Sequence, residues 1–293
     1  MNNKKQYYIG IDIGGTNMKA GLFDGEKIIA DFLLGTPKDN FDHFMIMLNA
    51  LIEPLIKKAK EDKIKINSIG AGVAGVINST GKQVLNSPNI PIINNRNIVN
   101  ELEKISGLPV VIDNDVNCFV RAEVALGIAQ KYKNIYGIII GTGIGGGWWL
   151  NGENYKGTHN GGGEPGKMII DFNSGIKLEE AYHKLTQNNP ALLAEEAYRG
   201  DILAEKSYEE VGNFIGIAIA NIINIIDPEV IILGGGVMAS SDLFLSKIKK
   251  SMREHIISSD IKKNIKILKS KLGENAGIIG AALLSKKGLS PKS

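Results

Sequence analysis

The chain has 293 residues, of which 43% are hydrophobic and 22% charged, so it can bury the cores of one large or two medium domains. Its net charge of +3 is too balanced to indicate a nucleic-acid surface, and the single cysteine, Cys118, excludes an intramolecular disulfide framework. No secretory hydrophobic region follows the opening MNNKKQ, and no window approaches the roughly 18 uncharged apolar residues of a membrane span. We therefore expect a cytoplasmic protein that uses neither membrane nor nucleic acid.

In the stretch 7–19, an apolar run over residues 8–13 predicts a strand, and the run stops at a Gly-Gly-Thr triplet at residues 14–16. The glycines allow close approach to a ligand, and the amides of such a turn can bind phosphate oxygens together with the Thr16 hydroxyl. Asp12, at the end of the strand, could face Mg²⁺ through water. Residues 20–29 predict a second strand, an Asp-Gly turn and a third strand, which places the loop inside a β-hairpin. A plain glycine-rich turn explains this motif equally well when it is taken alone.

Predicted helices and strands alternate over the next part of the chain. They are a helix at 41–60, a buried strand at 68–73, a loop at 84–91, a short helix at 97–105, a strand at 110–112 and a helix at 116–127. Gly75, after the first of these strands, again permits close backbone approach. Asn114 and Asp115 follow the second strand, at the edge where open α/β sheets bind ligands. Asp115 is the best candidate for a general base acting on a substrate hydroxyl, and a helix N-cap is its alternative role.

The opening pattern is repeated in the middle of the chain. Residues 134–140 predict a strand, residues 141–147 a glycine loop, and residues 148–153 a further strand and turn. The repeat indicates an internal duplication in which each half supplies one phosphate loop to a nucleotide.

Two apparent nucleotide motifs near this repeat are rejected. Residues 141–146 fit the dinucleotide pattern G-x-G-x-x-G, but no helical pattern follows them. Residues 161–168 resemble a P-loop, but Met168 stands where a magnesium-binding hydroxyl is required.

Glu164 and Lys167 lie in a glycine-rich loop, where they could hydrogen-bond a polyol or simply form an exposed charged loop. Later segments predict helices at 178–185, 189–203, 208–226, 242–257 and 275–284, with strands at 230–233 and 265–268. The glycine turn at 234–236, between a strand and a helix, could admit an adenosine or ribose. His159 and His183 have no cysteine close in sequence, so a zinc site of one histidine and three cysteines cannot be built, and surface or helix-face roles are favoured.

Five motifs in one order resemble the ROK family (repressors, open reading frames and sugar kinases) of the actin-like ATPase superfamily. They are D-I-G-G-T at 12–16, N-D-x-N at 114–117 followed by Glu123, G-T-G-I-G-G at 141–146, G-E-x-G at 163–166 and L-G-G-G at 233–236. Five motifs in order are far more specific than any one of them, and they favour the general-base role of Asp115 over the cap.

The resemblance implies two actin-like, ribonuclease H-like α/β domains around a central cleft for ATP and a sugar. Residues 1–117 and 277–293 would form the N-terminal domain, and residues 118–276 the C-terminal domain. ATP and Mg²⁺ would be bound by Asp12, Gly14, Gly15, Thr16, Thr142 and Gly143, with the adenosine near Gly235. The sugar would contact Gly75, Asn89, Asn114, Asp115, Glu164 and Glu180. Asp115 would be the base that activates a sugar hydroxyl, usually the 6-hydroxyl.

The chain departs from the family pattern in one region. Family kinases usually have a histidine where Lys167 stands and then C-x-C-G-x-x-G-C, whereas residues 170–178 contain no cysteine. We therefore expect no zinc site, and Lys167 is a further candidate for contact with the sugar. Glu180 is assigned through the following Ala181 and Tyr182, across this shortened loop.

A zinc-less kinase of this pattern is similar to bacterial N-acetylmannosamine kinases of sialic acid breakdown, and glucokinases or β-glucoside kinases of the family are the alternative. Family repressors place a helix-turn-helix ahead of the first strand, where this chain has only MNNKKQ. A non-catalytic actin-like ATPase would not need Asn114 and Asp115 together with Glu164. The resemblance also implies a homodimer.

Overall fold

The computed structural model of the protein describes residues 5–288. The chain divides into two compact units. The first contains the described chain up to Gln130, the segment Lys156–Gly162 and the chain from Glu274 onward, and the second contains Lys131–Tyr155 and Gly163–Gly273. The functional domain boundaries expected from the resemblance, residues 1–117 with 277–293 and residues 118–276, stay a prediction.

Both units are mixed α/β structures. The strands are β1 (Tyr7–Ile13), β2 (Asn17–Phe23), β3 (Ile28–Gly35), β4 (Ile66–Val73), β5 (Val76–Ile77), β6 (Val84–Asn86), β7 (Val110–Asn114), β8 (Ile135–Ile140), β9 (Ile144–Leu150), β10 (Glu153–Tyr155), β11 (Val230–Gly234) and β12 (Lys266–Lys269). The helices are α1 (Phe41–Glu61), α2 (Ile98–Ser106), α3 (Asp115–Ala125), α4 (Leu178–Thr186), α5 (Pro190–Tyr198), α6 (Ile202–Ile226), α7 (Leu245–His255), α8 (Ser259–Asn264) and α9 (Ala276–Gly288).

The first unit is built on a five-stranded sheet in the order β3-β2-β1-β4-β7. The first three strands are antiparallel neighbours, whereas β4 and β7 continue the sheet parallel to β1. The predicted glycine loop joins β1 to β2, and its turn is closed by the Gly14 amide, which donates to the Asn17 carbonyl at 3.0 Å. The predicted β-hairpin is therefore confirmed.

Helix α9 packs directly on the sheet of the first unit. A Cβ atom added to Gly10 of β1 would overlap the carbonyl oxygen of Ile278, and one added to Gly70 of β4 would overlap that of Ala281. Only glycine at these two positions lets the helix backbone lie against the strands, because any side chain would push the two apart. The end of the chain therefore completes the core of the unit that its beginning forms.

The second unit repeats this architecture. Its sheet has the order β10-β9-β8-β11-β12, with β8, β9 and β10 antiparallel and β11 and β12 parallel to β8. Each position in this order has a counterpart at the same position in the first sheet. The repeat of strand, glycine loop and hairpin predicted from the sequence is thus confirmed as a repeat of topology.

Helix α6 carries much of the core of the second unit. It has 25 residues, and a window of it with mean hydropathy 1.3 is long and apolar enough to cross a membrane by length and composition alone. Half of that window is buried inside the protein, and Ile215, Ile219 and Ile223 have no exposed surface beyond 1%. The place of this helix in a protein core therefore accounts for the apolar residues on its buried side.

Three predicted elements differ from the structure. The loop predicted at 84–91 begins with β6, which pairs with β5. The helix predicted at 208–226 begins earlier, as α6 at Ile202. Asp201 caps this helix, because its side chain accepts from the amides of Leu203 and Ala204. The helix predicted from residue 242 is preceded by 3₁₀ turns over Gly236–Leu243, and α7 begins only at Leu245.

Candidate active site

The parallel strands of the first unit end beside one another. Because β1, β4 and β7 run in the same direction, their carboxyl ends form one edge, where ligands bind in open α/β sheets. Asp12 pairs with Gly72 of β4, and Gly72 pairs with Asp113 of β7. The Asn114 side chain donates to the Gly75 carbonyl at 3.1 Å. The structure therefore brings together predicted site residues that lie about one hundred positions apart in the chain.

The two roles proposed for Asp115 are separated by the start of α3. The N-cap of this helix is Asn114, whose side-chain oxygen accepts from the amides of Val116 at 2.9 Å and Asn117 at 3.2 Å. Asp115 is the first residue of the helix and does not cap it. The N-cap position that Asp often takes therefore belongs to Asn114, while the Asp115 carboxylate lies near the first amides of the helix, those of Asp115 and Val116.

Burial and neighbouring charge raise the pKa of two carboxyl groups at this edge. Burial is the main cause for Asp115, whose pKa is raised to about 6; hydrogen bonds from the amides of Val116 and Asp115 lower it, and the negative charge of Asp113 raises it further. The pKa of Asp12 is raised to about 7, first by burial and then by the charge of Asp115, whereas Lys19 lowers it. Two carboxyl groups with strongly perturbed pKa values at one sheet edge indicate a functional site.

The loop residues Gly15 and Asn89 also meet in the first unit. A Cβ on Gly15 would lie 2.6 Å from the Cβ of Asn89, so only glycine allows the loop to pass this side chain. At the start of α9, a Cβ on Gly277 would overlap the carboxylate of Asp12. The sequence analysis missed Gly277, because nothing in the closing apolar helix indicates that it returns to the end of β1.

Asp113 is a second residue that the sequence analysis missed. Its side chain is 2% exposed and forms ion pairs with Lys156 at 2.8 Å and Arg121 at 3.3 Å. It also accepts from the Asn117 side chain at 3.1 Å and from the Asn114 amide at 2.8 Å. This network holds the corner between β7 and α3, which carries Asn114 and Asp115. The only sign of this role in the sequence is that Asp113 directly precedes Asn114 and Asp115.

In the second unit, the predicted glycine loop follows β8. The Gly141 amide donates to the Gly143 carbonyl at 2.9 Å, which closes a tight turn around Thr142. Gly235, with φ of +93°, packs so closely on the end of β8 that a Cβ would overlap the Ile140 carbonyl oxygen. The predicted nucleotide residues of this unit, Thr142, Gly143 and Gly235, therefore lie at one end of its sheet.

The glycine-rich loop with Glu164 and Lys167 also belongs to the second unit. The Lys167 ammonium lies 2.6 Å from the Glu179 carboxylate, at the start of α4. Glu180 instead has an exposed side chain 3.4 Å from Lys184. The structure thus brings Lys167 to Glu179 and not to Glu180. The role of Glu180 in substrate binding stays a prediction, with Glu179 as a further candidate that alignment across the shortened loop did not indicate.

Comparison with known proteins identifies the family. A model described as the ROK family matches residues 8–288. The chain belongs to the ROK family. It is 31% identical to the N-acetyl-D-glucosamine kinase of Photobacterium profundum, over 96% of this chain and 99% of that protein.

Two solved structures share the fold of this ROK protein. The ROK family glucokinase of Streptomyces griseus, in complex with glucose and AMPPNP, has a TM-score of 0.82 and 26% identity and covers 96% of this chain and 100% of that chain. Lmo2764 of Listeria monocytogenes, a candidate N-acetylmannosamine kinase, has a TM-score of 0.78 and 25% identity over 96% of this chain and 100% of that chain. The mixed α/β fold with two actin-like domains is therefore established.

The carboxylates at the first sheet edge of the ROK protein would suit a magnesium ion held largely through water. A nearby cation would stabilise the ionised carboxylates of Asp12 and Asp115, because burial and like charge raise the pKa values of both groups. Within residues 5–288, no group of three or more His, Cys, Asp or Glu side chains could hold a metal ion.

His183 was expected on a helix face. It lies on α4, and its Nε2 bonds to the Thr142 carbonyl at 2.9 Å.

Proposed function

We propose that this ROK sugar kinase transfers the γ-phosphoryl group of ATP to the 6-hydroxyl of an N-acetylhexosamine, with N-acetylmannosamine as the first candidate. The observation that carries the mechanism is the start of α3, where Asn114 caps the helix and Asp115 does not. Asp115 is the proposed catalytic base. Gly75, Asn89, Asn114, Glu164, Lys167 and Glu180 are the proposed substrate-binding residues.

Proton transfer to Asp115 accompanies attack of the sugar oxygen on the γ-phosphorus. The new P–O bond forms as the bond to the β-phosphate oxygen breaks, so the products are the sugar 6-phosphate and ADP. Phosphoryl transfer needs positioning and charge neutralisation more than covalent chemistry. When bound, Mg²⁺ neutralises phosphate charge, and Asp12 is the residue proposed to hold it, through water.

The remaining nucleotide contacts are assigned to the two glycine loops. We assign Gly14, Gly15 and Thr16 of the first unit and Thr142, Gly143 and Gly235 of the second unit to ATP. Backbone amides in such turns suit phosphate oxygens, and the Streptomyces relative was solved with AMPPNP. We further propose a cytoplasmic homodimer, which sedimentation would test.

The choice of an N-acetylhexosamine is supported by the relatives. The Photobacterium protein is named an N-acetyl-D-glucosamine kinase, and Lmo2764 is a candidate N-acetylmannosamine kinase. N-acetylmannosamine is placed first because the cysteine-free stretch 170–178 matches the zinc-less pattern. The Streptomyces glucokinase, solved with glucose, supports the alternative, a glucokinase or β-glucoside kinase.

A coupled ADP-release assay tests the proposal. The panel contains N-acetylmannosamine, N-acetylglucosamine, N-acetylgalactosamine, glucose and cellobiose, with a blank without sugar and zinc measured on the same sample. The Asp115→Asn variant, purified in parallel, controls for contaminating kinases. We expect the highest kcat/KM with N-acetylmannosamine, a 6-phosphate product and no stoichiometric zinc.

Each other result contradicts a defined part of the proposal. Preference for N-acetylglucosamine keeps the substrate class and rejects N-acetylmannosamine. Preference for glucose or cellobiose rejects the N-acetyl class and keeps the kinase mechanism. ADP release that does not depend on sugar indicates an actin-like ATPase instead.

A further inference from the structure

One face of α4 is bonded to the glycine loop that follows β8. Three main-chain groups of this loop are involved. The bonds run from Tyr182 Oη to the Gly141 carbonyl at 2.7 Å, between His183 Nε2 and the Thr142 carbonyl at 2.9 Å, and from the Ile144 amide to Glu179 Oε1 at 3.3 Å. Residues spaced by three and four positions lie on the same side of a helix, so a single face of α4 supplies all three bonds.

These bonds fix the backbone of the loop. All three partners in the loop are main-chain groups, so the helix determines where the loop amides point, whatever side chains the loop carries. Burial raises the pKa of Tyr182, so its hydroxyl stays protonated and donates throughout the working pH range. Helix α4 therefore acts as a support for the proposed phosphate loop.

The carboxylate of Glu179 reaches in two directions. Its Oε1 accepts from the Ile144 amide, and its Oε2 lies 2.6 Å from the Lys167 ammonium. Gly166, next to Lys167, packs against both partners, since a Cβ there would lie 2.6 Å from the Ile144 carbonyl oxygen and 3.2 Å from the Glu179 Cβ. One side chain thus connects the loop of Lys167 with the loop of Thr142.

We propose that Glu179 is a positioning residue that couples sugar binding at Lys167 to ATP binding at the Gly141–Gly143 turn. This inference rests on the proposed function, which assigns Lys167 to the sugar and Thr142 to ATP. The Lys167 side chain is 55% exposed and the Glu179 side chain 20% exposed, so water weakens their ion pair in the free protein. A sugar that covers Lys167 displaces this water and strengthens the pair.

The stronger pair holds Glu179 in the position that also bonds the Ile144 amide, and the loop is then ordered for ATP before ATP arrives. Because coupling between two sites is reciprocal, ATP must raise the affinity for sugar by the same factor. Typical couplings between ligand sites change affinity by about fivefold or more. We expect sugar to tighten the binding of Mg²⁺ with AMPPNP by at least about fivefold in the wild-type protein.

Calorimetry of AMPPNP with Mg²⁺, with and without saturating N-acetylmannosamine, measures the coupling as a ratio of two Kd values. If the activity panel selects another sugar, that sugar is used. Glu179→Gln keeps an oxygen for the Ile144 amide but loses the charge that binds Lys167. We expect it to bind AMPPNP alone with wild-type affinity and to have a ratio near 1.

His183 supplies a second, independent variant. His183→Ala removes the bond to Thr142 and is expected to weaken AMPPNP binding without sugar, whereas His183→Gln keeps a donor and is expected to restore it. Arg199→Met is the matched control, because it breaks an exposed ion pair of the second unit, with Glu195, and leaves Glu179, His183 and the proposed substrate residues in place.

Several results would overturn the inference. They are a ratio of 1 in the wild-type protein, an unchanged ratio in Glu179→Gln, or an equal loss of coupling in Arg199→Met, which would indicate a general effect on the unit. Wild-type turnover on the same preparation separates the two proposals. Turnover without coupling rejects the role of Glu179 alone, whereas no turnover with any sugar rejects the proposed function.

Discussion

The two units share one strand order but hold their glycine loops differently. In the first unit, the loop after β1 is held by Thr36 at the end of its own hairpin, whose hydroxyl donates to the Gly14 carbonyl at 2.7 Å and whose amide donates to the Thr16 carbonyl at 2.9 Å. In the second unit, the corresponding loop is held by side chains of α4. Similar loops on similar sheets are thus supported by unrelated contacts.

The strand ends differ in chemistry as well. Asp12 stands two residues before Gly14, and Ile139 stands at the same distance before Gly141. The parallel strand β7 ends in Asn114 followed by Asp115, whereas its counterpart β12 ends in Lys269. The carboxylates with raised pKa values therefore occur in the first unit. Shared topology supplies the edge, and the residues at the strand ends decide which edge can perform proton transfer.

The strongest test of this difference is Asp115→Asn. Removing a general base typically lowers the rate by about 10² to 10⁴-fold, and we expect kcat to fall within this range while the KM for ATP changes little. Steady-state kinetics with the preferred sugar measure both values. Asp62→Asn, an exposed carboxylate at the end of α1, is the matched control. Phosphorylation by Asp115→Asn at a near wild-type rate would show that the first unit does not supply the base.

The second prediction concerns the charges behind this base. Asp113→Asn leaves Arg121 and Lys156 without their shared counter-charge, in a place where Asp113 is 2% exposed. Loss of one partner from a buried ion pair costs about 3 kcal/mol of unfolding free energy. Urea unfolding measures the loss, and the exposed pair broken by Lys184→Met should change the free energy by less than about 1 kcal/mol. Equal effects of the two variants would mean that the Asp113 network contributes no more than a surface pair.

The sequence predicted the repeated fold well, because each strand and glycine loop leaves a local pattern. Apolar runs with an Asp-Gly turn indicate a hairpin over a few residues, and the structure confirms it as the antiparallel pair β2 and β3. The cap on α3 was harder to predict, since Asn114 and Asp115 are both favourable N-caps. Only the backbone geometry, with Asn114 bonded to two amides, separates them.

The contacts made over long sequence separations were not predictable from local patterns. Lys156 pairs with Asp113 across more than forty residues, and Gly277 covers Asp12 from the opposite end of the chain. A charged residue in a loop and a glycine in an apolar helix have many ordinary uses, so neither carried a signal. The assignment of Glu180 stays a prediction for a related reason, because a shortened loop removes the spacing on which alignment depends.

The smallest effect we expect is on the pH dependence of the reaction. Burial raises the pKa of Asp115 to about 6, and the base must be ionised to accept a proton. Because the pKa is raised in the folded protein, the carboxyl binds its proton more tightly there than in the unfolded chain. Its contribution to stability is therefore largest below pH 4 and is lost as pH rises through 6. Activity should change in the opposite direction, with kcat/KM for the sugar falling about tenfold per pH unit below 6.

Because stability and kcat/KM change in opposite directions with pH, titration of the base can be distinguished from acid unfolding. A thermal melt at pH 5 that is no lower than the melt at pH 7, together with a tenfold lower kcat/KM, would assign the loss to the carboxyl group. The Asp113→Asn variant then sharpens the assignment. The negative charge of Asp113 raises the pKa of Asp115, so its removal should lower that pKa and shift the acidic limb of the profile to lower pH. If the acidic limb stays in place in an Asp113→Asn variant that still folds, the titrating group is not Asp115. Another group of the first unit would then have to be the base.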